Sequence, residues 1–184
     1  MINDIHGVSR KPALGPAPPA ARQPTSGYTA AATAVAGVFV AKTTHATFAD
    51  PQLAIDELSE ATGLSTEDVL DALHELHGMV DIRHGHACPQ DELYATFDKH
   101  WMEWDPAADA LRLAADLLND DSFPHEPAAV AARYQWSPRR LNPAIAYLAN
   151  RNVIRSLKAM GSAPFTAVYI SPTDATRRFV RSRS

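Results

Sequence analysis

Along most of the chain, apolar residues recur every three to four positions, with polar residues between them. This is the spacing of helices that bury one face. It predicts helices over 28–42, 50–62, 65–77, 90–101, 105–119, 127–134 and 137–151, with a last helix opened by Pro172. Because the first of these is short and is interrupted by Thr33 and Gly37, we expect a buried helix there and not a membrane span.

Two stretches are instead predicted to be extended, and the first begins with the alternation of apolar and polar residues that is typical of strands. One covers 79–88 with a tight turn at His84 and Gly85, and a longer one covers 153–170 around Gly161. Both are predicted to be antiparallel hairpins. Shorter extended pieces are expected at Thr47 and Phe48 and again at Phe123.

Local signals place several helix ends. Asp50 before Pro51 predicts a helix start, because an acidic cap accepts from free amides and proline at the first position sacrifices no hydrogen bond. Gly63 is expected to end that helix and Ser65 to cap the next one.

A helix, a short strand, two helices and a hairpin follow one another twice in the predicted order. The stretch 64–83 aligns with 136–155 as third helix plus first hairpin strand. This is the element order of a winged helix. The predicted fold is therefore mainly α with small β-hairpin wings, as two winged-helix units in tandem over 28–89 and 105–184, joined by a helix over 90–104.

Three stretches also resemble a bacterial family of tandem winged helix-turn-helix proteins. They are PQDELYATFDKHWMEWDPAADA, WSPRRLNPAIAYL and DATRRFVRS, and the resemblance extends over roughly residues 50–182. It implies the tandem fold and no settled activity.

The composition of the N-terminal residues differs from that of the rest of the chain. Residues 1–27 are rich in proline and alanine, a composition that is typical of a disordered arm. Cys88 is the single cysteine, which excludes an internal disulfide and indicates a reducing compartment. The expected location is the cytoplasm, away from membranes.

Charge divides the chain into two halves. Residues 1–132 hold 7 Lys and Arg against 20 Asp and Glu, whereas residues 133–184 hold 10 against 1. A basic half that coincides with a predicted helix-turn-helix points to double-stranded DNA as the partner. The alternative is a basic surface that pairs with the acidic half of the same or a neighbouring chain.

The third helix of the second unit carries the candidate base contacts. Ser137, Arg139, Arg140 and Asn142 lie at its start, where a recognition helix touches base edges, and we expect the last three on or near its outer face. Pro143 leaves open a start at Asn142 as cap, which would make Asn142 structural. The other candidate DNA-binding residues, suited to phosphates, are Arg151, Arg155, Lys158, Arg177, Arg178 and Arg181.

The corresponding helix of the first unit is acidic, with Glu67, Asp68, Asp71 and Glu75. Because it would repel phosphates, we expect the first unit to mediate homodimerisation or to bind a partner protein. Five nearby residues are weak zinc candidates, but one cysteine without a CxxC pair favours no metal and no cofactor. They are His74, His77, His84, His86 and Cys88.

No phosphate loop, nucleophile elbow or metalloprotease helix is present, so we expect no enzyme. The sequence predicts a DNA-binding protein, most simply a transcriptional regulator that inserts its 137–151 helix in the major groove. The alternative is a winged-helix scaffold for protein interactions that binds no nucleic acid.

Overall fold

The computed structural model describes residues 27–183, so the predicted arm lies, apart from Gly27, outside the described residues. The first half comprises α1 (Ala30–Lys42), β1 (Leu53–Ala54), α2 (Ile55–Thr62), α3 (Thr66–Glu75), β2 (Val80–Arg83), β3 (His86–Pro89) and α4 (Asp91–Phe97), followed by a 3-10 turn at Asp98–His100. The second half comprises α5 (Pro106–Asn119), α6 (Pro127–Tyr134), α7 (Pro138–Asn150), β4 (Ile154–Leu157), β5 (Tyr169–Pro172) and α8 (Asp174–Arg181). The prediction of a mainly helical chain with small antiparallel sheets is confirmed.

In the part of the chain that the structure describes, each half contains one small sheet. In the first, β3 lies between β1 and β2 and is antiparallel to both, with Ile82 opposite Ala87. In the second, β4 pairs with β5 alone, and Arg155 faces Ser171 across the pair. The two predicted hairpins are thus formed.

Turn chemistry explains the helix and strand ends of the first half. Ser65 caps α3 by accepting from the amide of Asp68 at 3.1 Å. Gly63 ends α2 with a φ of 71°, a left-handed value that glycine adopts without a steric penalty. His84 and Gly85 both have positive φ, as a two-residue hairpin turn requires.

Other local predictions are wrong. Asp50 does not cap α2, because its carboxylate accepts from the amides of Thr44 and His45 and α2 begins only at Ile55. The short strand is β1 and not Thr47 with Phe48, and Phe123 lies outside the named strands with its ring buried in the core of the second half.

Residues 27–183 form two separate apolar cores. One is built by α1, α2, α3, β2 and α4, and it includes Leu93, Tyr94 and Phe97. The other is built around α5, α6, α7 and the second sheet, and it includes Leu113, Leu141 and Ile170. The predicted connecting helix therefore packs as part of the first core.

Helix α7 lies where the two halves meet and packs against both α4 and α5. Its buried residues run almost all the way round the helix: Arg139, Leu141, Asn142, Pro143, Ala144, Ile145, Ala146 and Leu148. Only Asn150 among its residues is exposed. A helix that is buried on every side serves as a core element.

None of the helices within residues 27–183 combines the length and the apolarity that crossing a bilayer requires.

Candidate nucleic-acid interface

Arg139, the first predicted base contact, is buried between the two halves of the molecule. Arg139 is 8% exposed, and its guanidinium forms a bidentate ion pair with Asp98, with N–O distances of 2.5 and 2.7 Å. The same group lies 5.1 Å from the centre of the Tyr94 ring. The predicted outer-face position of Arg139 is therefore wrong, because a carboxylate 41 residues earlier in the chain holds it inside.

The pair with Asp98 lies in a nearly dry environment. Asp98 is fully buried, and burial raises the pKa of its carboxyl, while the hydrogen bonds and charge of Arg139 oppose that rise. Burial also raises the pKa of the nearby Tyr94 hydroxyl, which donates to the backbone carbonyl of Asp50. The Arg139 guanidinium cannot reach a base edge without breaking its buried ion pair with Asp98, which holds α7 against the first half.

Asn142 is also inside, with no exposed surface. Its amide nitrogen donates to the carbonyls of His45 and Pro164 at 2.8 and 2.9 Å, and its amide oxygen accepts from Thr166 at 3.1 Å. It thereby joins α7 to a loop of the first half and to the connection between β4 and β5. Asn142 is structural, and its predicted outer-face position is wrong.

The start of α7 decides between the two helix boundaries that the sequence left open. The helix begins at Pro138 with Ser137 as its cap position, and Pro143 lies inside it. Asn142 is therefore an interior residue of the helix and not its cap. Ser137 is exposed at the helix start, and its side chain makes no capping hydrogen bond.

Arg140 is only partly buried, but its guanidinium is bound by Asp109 and Trp136. Its Nε and Nη2 atoms each lie 2.7 Å from a carboxylate oxygen of Asp109, and these hydrogen bonds raise the pKa of the guanidinium. The guanidinium carbon also lies 4.4 Å from the centre of the Trp136 ring. Arg140 therefore fastens α7 to α5.

Two further candidates bridge the halves near the surface. Arg151 pairs with Glu92 at 3.0 Å and stacks over Tyr147 at 3.8 Å. Lys158 lies 3.4 Å from Asp91 and is far more exposed. Both bind acidic residues of α4, so they hold the second half to the first.

The remaining candidates are exposed, and for none of them is an acidic partner found within residues 27–183. They are Arg155 on β4 and Arg177, Arg178 and Arg181 on α8. The three arginines of α8 line one groove of about 240 Å³ together with Leu118, Thr173 and Asp174. Arg183 is also exposed, and it stacks on Phe179 at 4.1 Å.

The burial of Phe179 and Thr176 explains why these arginines point outward. Both residues face the second core from one side of α8, whereas Arg177, Arg178 and Arg181 follow the opposite side at helical spacing. On β4, Arg155 is exposed between the buried Ile154 and the half-buried Ser156. The exposed cations thus sit on elements whose other faces are fixed by packing.

The sequence reasoning missed the acidic partners of the basic residues: Asp91, Glu92, Asp98 and Asp109. One signal was available for Asp98. It follows Tyr94 and Phe97 at the spacing of a single buried helix face, where an acidic residue is stable only with a partner.

The five zinc candidates are spread over different surroundings. His74 and His77 are exposed on the same side of the end of α3, the ring of His86 contacts the carbonyl of His84, and Cys88 is buried. Over residues 27–183, no group of three or more His, Cys, Asp or Glu side chains is arranged to hold a metal ion.

Comparisons with protein-family models, with curated protein sequences and with solved structures each found no match to this chain.

Proposed function

We propose that this chain is a tandem winged-helix protein that binds double-stranded DNA through phosphate contacts made by β4 and α8. The observation that carries the proposal is the set of exposed arginines without an acidic partner among the described residues, namely Arg155, Arg177, Arg178, Arg181 and Arg183. As part of the same proposal, the protein acts in the cytoplasm as a regulator and not as an enzyme.

Ion pairs within the chain reduce the number of basic residues that are free to bind DNA. Of the 10 basic residues after position 132, five pair with acidic residues between positions 91 and 120. Three of these pairs, those of Arg139, Arg151 and Lys158, join the two halves, and the other two stabilise the second half. The five others keep their charge available on the surface of the second half.

These free arginines suit the DNA backbone better than the bases. Exposed guanidinium groups bind phosphates as well-matched hydrogen-bond donors, and such contacts position a protein without reading sequence. Insertion of α7 in the major groove is not part of the proposal, because its outer surface is covered by α4 and α5. We therefore expect salt-sensitive binding with weak sequence preference.

Two charge-matched triple variants test the proposal. The first replaces Arg177, Arg178 and Arg181 with alanine, and the second replaces Arg83, Arg133 and Arg151, which are exposed or half-exposed and paired with carboxylates. Both variants lose the same net charge. Fluorescence anisotropy with a labelled duplex, at several salt concentrations, compares their affinities with that of the native protein.

The α8 variant should bind more weakly at every salt concentration, and its log–log salt slope should fall by about 0.9 for each phosphate that it no longer neutralises. The paired-arginine variant should bind more like the native protein. Equal reductions of affinity in the two variants would mean that net charge alone attracts DNA. No salt-sensitive binding by the native protein would leave the scaffold function as the better account.

A further inference from the structure

A groove between α3 and the first hairpin exposes apolar side chains on the acidic half of the molecule. It has a volume of about 490 Å³, and Leu70, Leu73, Val80 and Ile82 form its apolar lining. Leu73 and Val80 belong to the core, but Leu70 is 45% and Ile82 55% exposed. Exposed aliphatic residues that face each other across a groove are typical of a protein-binding site.

The acidic residue in the lining of the groove is Asp81, and further exposed acidic residues lie on α3 within one turn of its lining residues. Glu67 and Asp71 are exposed one turn before Leu70 and His74, respectively. Residues 28–89 hold 2 Lys and Arg against 9 Asp and Glu, a net charge of −7. The field at the groove therefore attracts a positively charged partner.

Arg83, the one lysine or arginine in a lining that also includes His74 and His77, does not alter this balance. Arg83 pairs with Asp81 at 2.9 Å, and its guanidinium carbon lies 4.7 Å from the centre of the Phe48 ring. Its charge is compensated within the hairpin. The carboxylates of Glu67 and Asp71 have no basic partner among the described residues.

A second copy of the chain is a poor occupant. A symmetric dimer through this groove would bring Leu70 and Ile82 of two copies together, but it would also place Glu67 and Asp71 of one copy against the same acidic surface of the other. Like charges facing each other across an interface cost free energy. The basic helix α8 cannot serve either, because its apolar face packs on α5.

We infer that this groove binds a basic amphipathic helix of another protein. Apolar side chains of the helix would pack on Leu70 and Ile82, and its lysines or arginines would lie against Glu67 and Asp71. This inference is independent of DNA binding, since it rests on the other half of the chain.

A synthetic helical peptide provides the probe. It carries leucine at positions i, i+3, i+4 and i+7 and lysine on its other face, and its binding is measured by calorimetry at two salt concentrations. One matched peptide replaces each leucine with alanine, and another replaces each lysine with glutamate. We expect only the leucine–lysine peptide to bind well, because the groove combines apolar and acidic surface.

Variants of the protein locate the site. The pair Leu70→Ser and Ile82→Ser should weaken binding by about tenfold or more, because less apolar surface is buried. The control pair, Leu157→Ser and Met160→Ser, removes exposed apolar residues of the other hairpin and should leave affinity unchanged. All four residues are exposed, so the variants should keep the native melting temperature.

A second pair of variants tests the charges. Glu67→Gln with Asp71→Asn should weaken binding and reduce its salt dependence, whereas Asp56→Asn with Glu60→Gln, on the exposed face of α2, should change little. Equal binding of the alanine-substituted peptide, or unchanged affinity of the Leu70 and Ile82 variant, would overturn the inference. So would a native dimer, detected by sedimentation, that the Leu70 and Ile82 variant does not form.

Discussion

Helices α3 and α7 occupy the same place in the order of elements in the two halves, yet one is open and the other is enclosed. On α3, Glu67, Leu70, Asp71 and His74 are exposed, and only Val69, Ala72 and Leu73 are buried. On α7, Asn150 alone is exposed. The helix that carries positive charge is hidden, and the helix that faces solvent is acidic.

Charge along a helix therefore does not by itself identify a DNA-reading surface. Arg139 and Arg140 are conspicuous in the sequence, but Asp98 and Asp109 neutralise them across element boundaries. Small and apolar residues on the remaining sides of α7 let α4 and α5 approach closely. The free cations lie instead on β4 and α8.

The largest loss of stability should come from breaking the buried Arg139–Asp98 pair, which holds α7 against the first half. Asp98→Ala leaves the guanidinium of Arg139 buried without its counter-charge, so we expect the free energy of unfolding to fall by about 3–5 kcal/mol. Urea unfolding followed by circular dichroism measures this change. Asp81→Ala, which breaks an exposed pair with Arg83, is the control and should cost less than about 1 kcal/mol.

The double variant Asp98→Leu with Arg139→Met separates charge from packing. Because it removes both charges together, it should be more stable than Asp98→Ala. A double variant as unstable as the single one would show that the pair acts through shape and not through charge compensation.

The second-largest loss of stability should follow the replacement of Asn142. Asn142→Ala removes two donated hydrogen bonds and one accepted bond at a fully buried position, which leaves backbone groups of His45, Pro164 and Thr166 without this partner. We expect the free energy of unfolding to fall by about 2–3 kcal/mol. Asn150→Ala, at the exposed end of the same helix, is the matched control, and a similar decrease in both variants would contradict the assigned role.

A smaller effect is expected where the first core meets the segment that leads to the second. A Cβ atom at Gly37 of α1 would lie 2.8 Å from Cζ2 of Trp101. Gly37→Ala should therefore cost about 1–2 kcal/mol, at the low end of overpacking penalties because Trp101 is only partly buried and can shift. Ala34→Gly, on the exposed side of α1, controls for helix propensity, and a stabilised Gly37→Ala protein would refute the close contact.

The smallest effect belongs to the open helix. Glu67→Ala and Asp71→Ala remove exposed side chains of α3 and should change the free energy of unfolding by no more than about 0.5 kcal/mol. The same denaturation experiment checks this. A decrease comparable with that of Asp98→Ala would mean that these side chains of α3 are not exposed to solvent.

Features that depend on neighbouring residues could be predicted from the sequence, and those that depend on distant ones could not. The turn at His84 and Gly85, the stop at Gly63 and the cap at Ser65 follow from local backbone chemistry. Asp98 lies 41 residues from its partner Arg139, and His45 lies 97 residues from its partner Asn142, so no periodicity reveals these contacts. The prediction for Asp50 is wrong for a related reason, because loop amides compete with the helix start for its carboxylate.

The rates at which single cysteines react with a thiol reagent, with and without a DNA duplex, test the contrast most directly. In a Cys88→Ser background, the cysteines replace Leu70 on α3, Ala146 on α7 and Arg181 on α8, which are exposed, buried and exposed, respectively. We predict fast labelling at position 70 regardless of DNA, slow labelling at 146 regardless of DNA, and fast labelling at 181 that the duplex slows. Fast labelling at 146 that the duplex suppresses, with no change at 181, would contradict the account and restore α7 as the DNA-contacting helix.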